Sequence, residues 1–301
     1  MILCLGSAAD ETFLHMLVGL RQQKLPTVAV DVVHLARTGA FAIEPGRADR
    51  GMISVGRSTV RLSEITGCWI RLPDLQQPEA GVGTNPLPGV QRALSVALHN
   101  LPIRSVNPPL LDPSNFSKPA HMLYLAAEVG LEVPDSCVTN IPERAGAFVD
   151  RHDGQVVYKG TSSTKTWVRQ WNEDFDRPRL ELIGPTPVLF QRMIAGPDVR
   201  VHVAAGTIVA EKIVSASVDY RTSGARNQYS GIECPRDIAD ACIKLSAAMN
   251  CPLLGIDFKI DADSGKWVLL EANPLPCFQG YDARSGGRIS RAIAAYLAGP
   301  T

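Results

Sequence analysis

Two carboxylates and one amide are spaced so as to meet. Asp257 lies in Gly255-Ile256-Asp257-Phe258-Lys259-Ile260-Asp261, and Glu271 and Asn273 lie in Trp267-Val268-Leu269-Leu270-Glu271-Ala272-Asn273-Pro274. Both runs alternate or are apolar, as strands do, and Asp263-Ser264-Gly265-Lys266 between them has tight-turn chemistry. A hairpin turning about Ser264 sets Asp257 directly opposite Glu271. Period-two alternation then puts Asn273 on the face of Glu271. Like charges opposed across a sheet repel, so the pair calls for a cation. All-oxygen donors suit Mg²⁺, which is commonly held by one or two carboxylates together with substrate phosphates. A solvated hairpin with scattered acids is the plain alternative.

The remainder of the chain has to hold that hairpin in place. The 301 residues are 45% hydrophobic and 20% charged, with 30 basic and 30 acidic side chains. This is ordinary globular composition, long enough for two or three lobes. Zero net charge gives nucleic acid or a membrane surface nothing to attract. No apolar run reaches membrane-spanning length, and Met1–Gly6 reads as a first strand rather than a signal peptide. The seven cysteines are odd in number and lack a CxxC pair. They argue against a disulfide framework or a zinc site and for a reducing, cytoplasmic setting.

Residues 1–70 alternate strand and helix. Met1–Leu5 is a strand, and Asp10 or Thr12 caps a helix carrying Phe13, Leu14, Leu17 and Leu20. Thr27–Val33 is a second strand ending near His34. Ile53–Arg61 is an edge hairpin and Gly67–Arg71 a further strand, so a small α/β lobe with a parallel sheet is expected. Residues 73–90, rich in Pro and Gly, read as a loop. Val106 to Asn115 reads as a linker, which places a domain boundary near residue 110. Ser117 caps a helix with Pro119 in its first turn and Gly130 at its end. Residues 137–171 read as strand, helix, strand, loop. Pro187–Ile194 is a buried strand, Asp198–Ala204 and Thr207–Ile213 a hairpin around Gly206. Asp237–Asn250 and Ile289–Leu297 are amphipathic helices.

In this order the pieces resemble the ATP-grasp ligases: Lys118, Lys159 on Val156-Val157-Tyr158-Lys159, Gln191-Arg192-Met193-Ile194, Pro197-Asp198-Val199-Arg200-Val201-His202-Val203, Gly255-x-Asp257 and Glu271-x-Asn273. The likeness covers roughly residues 100–290. It implies an α/β fold, α+β in the C-terminal lobes, with an N-terminal pre-ATP-grasp α/β domain over 1–110, a central lobe over 111–190 and a C-terminal lobe with the metal site over 191–301. Two branches are similar, the ligases that extend a ribosomal protein's C-terminus and the graspetide (microviridin-type) ligases. Cys68–Pro73, Val106–Pro109, Pro134–Asn140 and Val218–Arg221 look more like the graspetide branch. Pro274–Asp282 departs from the run those enzymes carry after the metal asparagine.

The resemblance implies roles. Asp257, Glu271 and Asn273 hold one or two Mg²⁺, with Mn²⁺ as the alternative ion. Lys118 and Lys159 contact the phosphates of ATP, and the hydroxyl-bearing loop with Ser162 and Ser163 closes over them. Gln191, Arg192 and Met193 form the interlobe hinge, where backbone groups at 192 and 193 read the adenine edge against Met193 and Leu254. Asp198 binds the ribose. Arg200 stabilises the transferring phosphoryl group, with Lys212 sharing its face and Arg221 as a further fork for phosphate or carboxylate. His202 is the one histidine placed near the site. Arg284 and Arg288 near the C-terminus are further candidates for binding substrate, without a spacing argument. The loop near 160–170 and the segment 215–230 are the expected lids. The reaction expected is carboxylate–amine ligation through an acylphosphate, on small-molecule or peptide acids and amines. A graspetide-type macrocyclase and a non-catalytic nucleotide-binding protein are the alternatives, and homo-oligomerisation is left open.

Overall fold

The computed structural model describes residues 1–44, 46–56, 58–73, 86–108, 119–161, 168–215 and 227–299, without the side chains of residue 48 and residues 119–122. Strand β1 (Ile2–Gly6) is buried on both faces, which is why it reads as a continuous apolar run. It pairs in parallel with β2 (Thr27–Asp31) and β6 (Gly67–Ile70), and β6 pairs in parallel with β7 (Arg104–Val106). Helix α1 (Glu11–Gln22) starts at Asp10, whose carboxylate accepts from the Phe13 N–H at 2.9 Å. Its buried stripe is Phe13, Met16, Leu17 and Leu20, whereas Leu14 faces solvent.

Two expectations for this lobe fail locally. The second strand stops at Asp31, because Asp31 caps a helix through the His34 N–H at 2.9 Å. Val32–Thr38 is therefore helix α2, although Val32 and Val33 are β-branched. The expected loop 73–90 ends early, because helix α3 (Leu87–His99) takes its last four residues and buries Leu94, Ala97 and Leu98 beside Leu35 of α2, while residues 74–85 lie outside the described residues. A three-stranded antiparallel sheet of β3 (Ala40–Ala42), β4 (Met52–Val55) and β5 (Ser58–Arg61) covers that side.

The central sheet has the order β10-β9-β11-β8, with β8 (Ser136–Thr139), β9 (Val156–Gly160), β10 (Arg169–Gln170) and β11 (Val188–Arg192) all antiparallel. Ahead of it in the chain lies helix α4 (Pro119–Glu128). Helix α5 (Pro142–Arg151) buries Ala145, Phe148 and Val149 against Val156, Trp171 and Phe190. The short helix α6 (Glu173–Asp176) follows β10.

The third sheet has the order β14-β13-β12-β15-β16. Its strands are β12 (Asp198–Ala204), β13 (Thr207–Ser215), β14 (Asn227–Gly231), β15 (Leu253–Ile260) and β16 (Trp267–Asn273). Val199, Val201, Leu254, Ile256, Phe258 and Leu269 face helices α4 and α7 (Arg236–Ala248) and form the largest apolar cluster. The opposite face is covered at one end only. There Ala204, Val209 and Leu253 pack under Phe278, beside helix α8 (Gln279–Arg284), and under helix α9 (Arg288–Ala298). Helix α9 also packs on α1, joining this sheet to the first lobe. The other end of the face is left open toward β9 and β11, and the polar residues of β12 and β15 lie there.

Candidate active site

The predicted opposition of carboxylates holds: Asp257 pairs directly with Glu271. The geometry behind it differs from a plain hairpin about Ser264. Nearer the turn the ladder pairs Phe258 with Leu269, Lys259 with Val268 and Ile260 with Trp267. The register shifts between Asp257 and Phe258, so that Leu270 is an extra residue on β16. The bulge leaves Asp257 facing Glu271 and aims Leu270 into the same cavity.

A charged row crosses the sheet at this level. Glu211, Arg200, Asp257 and Glu271 are successive direct partners on β13, β12, β15 and β16. Three of them are nearly sequestered from water, Glu211 at 4%, Arg200 at 6% and Asp257 at 6% exposure. Buried charges persist only when paired, and these are. Arg200 Nη1 donates to Asp257 Oδ2 at 2.8 Å. Lys159, reaching over from β9 in the central sheet, donates to Glu271 Oε2 at 3.1 Å. One rung toward the hinge, Lys259 pairs with Asp198 at 3.0 Å and donates to the Gly196 carbonyl at 3.1 Å. Gly255 gives Arg200 its room, since a Cβ there would collide with the guanidinium and with Pro276.

Between the two sheets lies a cavity of about 640 Å³, lined by Lys159, Gln191–Asp198, Asp257, Lys259, Leu270 and Glu271 among others. That volume falls in the range of small-ligand sites. Gly196 shapes its hinge side: at φ +132° only glycine is comfortable, and a Cβ would strike the Ile260 carbonyl. Lys159, Gln191, Arg192, Met193, Asp198, Asp257 and Glu271 are thus brought together as predicted. Gln191 Nε2 donates to Ser136 Oγ at 3.1 Å, and Arg192 lies 3.7 Å from Asp261.

Other expectations are corrected. Leu254 is fully buried and pairs with Val203 on the helix-covered face, so it does not line the cavity, whereas Leu270 does. Lys212 pairs with Val199 rather than Arg200, so it is on the other face from the charged row and borders the cavity only at the end of β13. Glu211, unremarked in the sequence, occupies the position beside Arg200. The backbone N–H groups of Arg192 and Met193 already donate to Asp135 O and Gln155 O, both at 2.9 Å. The next N–H, that of Ile194, has no partner among the described residues. Asn273 shares the face of Glu271, one rung farther from the hinge and opposite Gly255. Its Oδ1 accepts from the Leu275 N–H at 2.8 Å. Lys118, Ser162, Ser163 and Arg221 lie outside the described residues, as do residues 162–167 and 216–226 of the two expected lids.

His202 stands at the next rung, with Arg200 Nε 3.4 Å from its Nε2 and Tyr281 against its ring at 4.8 Å. Complete burial, and then the adjacent Arg200 charge, hold its pKa well below 6.5, so the imidazole is neutral. The donor set fits a hard divalent ion. Asp257 and Glu271 face each other, offer only oxygen, and now carry Arg200 and Lys159 as counter-cations.

No protein-family model matches the sequence, and no curated protein matches it. Solved structures do. MdnC, a macrocyclase from Microcystis aeruginosa MRC bound with its precursor peptide MdnA, superposes with a TM-score of 0.84 over 100% of both chains at 18% identity. The ATP-grasp ligase PsnB with a minimal precursor gives 0.82 at 23% identity, over 99% of this chain and 97% of its own. This chain has the ATP-grasp fold. An ATP-grasp ligase from Chryseobacterium gregarium, RiPP-associated and in complex with ADP and a leader and core peptide, gives 0.81 at 18% identity over 99% and 96%. In ATP-grasp terms the cavity lies between the central and C-terminal sheets, and residues 192–197 connect the two.

Proposed function

We propose that this chain is an ATP-dependent peptide ligase, which activates a side-chain carboxylate of a precursor peptide and joins it to a hydroxyl or amine of the same peptide. The observation that carries the reading is Lys159 reaching from one sheet of the ATP-grasp fold to the Asp257–Glu271 pair on the other, across the cavity. Full-length likeness to MdnC and PsnB, both solved with precursor peptides, favours a peptide substrate.

The adenine would lie between Met193 and Leu270, with the Ile194 N–H as the available donor. Asp198 would accept from the ribose. Lys159, released from Glu271, would bind phosphate oxygens. Asp257 and Glu271, with the second lone pair of Asn273 Oδ1, would hold Mg²⁺. PsnB has been solved with Mg and ADP. When bound, the metal supplies charge neutralisation at the phosphates. A carboxylate oxygen of the substrate attacks the γ-phosphorus, ADP leaves, and an acylphosphate results. The nucleophile then attacks its carbonyl carbon, loses its proton, and phosphate departs. Arg200, fixed by Asp257, neutralises charge developing on the transferring group.

The test is incubation with Mg-ATP, candidate precursor peptides and amino-acid pools, read by mass spectrometry and nucleotide analysis. A peptide lighter by one or more waters, with ADP, is expected. Two reactants joined with loss of one water would instead support intermolecular carboxylate–amine ligation. AMP as product would overturn the acylphosphate route.

A further inference from the structure

Arg200 has neighbours on both sides of its row, and the mechanism uses only one side. Toward β16 lie Asp257 and Glu271; toward β14 lies Glu211, directly opposite Arg200. Glu211 Oε2 accepts from Arg284 Nε at 2.9 Å and lies 2.8 Å from its Nη2. The guanidinium is flanked by two rings, Tyr229 at 4.2 Å and Tyr281 at 4.9 Å. The Tyr281 ring in turn packs on His202. Arg284 is thus immobilised by a side chain that is itself 5% exposed, yet its own side chain is 40% exposed. Its Nη1 donates to no described residue. A rigid, half-exposed guanidinium with an uncommitted edge is the arrangement that binds a carboxylate in a forked geometry.

We propose that Arg284 forms an anion subsite for a carboxylate side chain of the substrate, on the far side of Arg200 from the metal-binding pair. The proposal rests on the ligase reading and adds the substrate chemistry: the bound segment is acidic at this position. Neighbouring strands are about 4.8 Å apart, so Glu211 stands roughly 10 Å from Asp257 across the sheet. A peptide lying across the strands spans that distance with two or three residues. Tyr229 and Tyr281 would border its apolar stem.

Protein with isotopically labelled arginine is titrated with N-acetyl-L-glutamate α-amide, whose only charge is a side-chain carboxylate. The glutamine analogue is the neutral control and inorganic phosphate the competing anion. The Arg284 Nε–H signal, assigned by its loss in Arg284→Lys, is expected to shift saturably with the acid and not with the amide. In Arg284→Lys, which keeps a counter-charge for Glu211 but loses the fork, affinity is expected to fall about tenfold or more. No shift, an equal shift with the amide, or a shift with phosphate alone would overturn the proposal. The pair Glu211→Gln with Arg284→Met removes both charges. If Arg284 only neutralised Glu211, that variant would bind the probe as the wild type does, and the subsite would be refuted. The titration contains no nucleotide, and Mg-ATP binding is measured separately by calorimetry. Failure of the ligase reading and failure of the subsite are therefore read apart.

Discussion

At the scale of single residues the candidate site is a set of buried or half-buried charges paired with one another. Lys159 pairs with Glu271 and Arg200 with Asp257, so each carboxylate has a cationic partner across the cavity or along the sheet. Glu271→Gln is expected to lower turnover about 10²–10³-fold, the loss typical of deleting one group that stabilises transition-state charge. Calorimetry should show weakened Mg²⁺-dependent nucleotide binding in the same variant. Unchanged turnover would remove Glu271 from the metal site. Gly255→Ala is expected to mimic loss of Arg200, because the new methyl takes the space of its guanidinium. A crystal structure of that variant with Arg200 still on Asp257 would contradict this. His202 makes stability depend on pH. Its folded pKa is pushed well below 6.5 by burial and by Arg200. As pH falls below 6.5 the unfolded chain takes up a proton that the folded chain refuses, so stability declines there and is unaffected above. His202→Gln should flatten that part of a denaturation-versus-pH curve; an unaltered slope would assign it to other groups.

At the scale of elements, the β16 bulge matters most. Leu270 is inserted between two stretches of regular ladder and points into the cavity. Deleting Leu270 would keep Asp257 opposite Glu271, since Glu271 would then follow Leu269 directly. The expected result is a folded chain with nucleotide affinity reduced about tenfold, the order of losing one buried apolar side chain of roughly 1.5 kcal/mol. Unchanged affinity for ATP would mean that Leu270 is not its wall. Hairpin identity and strand pairing were legible from alternation and turn chemistry. The bulge was not, because a continuous apolar run carries no mark of which residue is extra. Lys212 and Leu254 were misplaced for a related reason: spacing within one strand fixes its faces, but only pairing shows which face meets the cavity.

At the scale of the whole molecule, the lobes are tied by buried polar side chains, Asn107 and Arg71. Asn107 donates to Leu253 O at 2.8 Å and accepts from the Leu253 N–H at 2.9 Å, and its amide also bonds the Pro274 carbonyl. Arg71 binds Asp10 at 2.7 Å and the carbonyls of Leu275 and Pro276 at 3.2 and 3.1 Å, holding the segment that follows Asn273. Asn107→Ala strands several buried groups and is expected to cost roughly 2–4 kcal/mol in chemical denaturation, at 1–3 kcal/mol per unsatisfied group. A loss under half a kcal/mol would show that the lobes are held otherwise. No helix among the described residues is long and apolar enough to cross a membrane. Burial pushes the thiols of Cys4 and Cys251 up to about 12, which leaves them unreactive packing groups.

The amino-acid sequence by itself determined the lobe with a parallel sheet, the antiparallel hairpins and the meeting of Asp257 with Glu271. Each follows from local periodicity, caps and turn residues, which act over a few positions. It also determined that Lys159 would be costly unless paired, from its place within an apolar strand. Only the tertiary structure decided which partner each charge meets. Lys159 and Glu271 are 112 positions apart, and Arg284 and Glu211 are 73. Contacts at such separation are set by how sheets stack and which faces helices cover, and burial makes the outcome compulsory: a charge removed from water must find its counterpart wherever the fold has brought it.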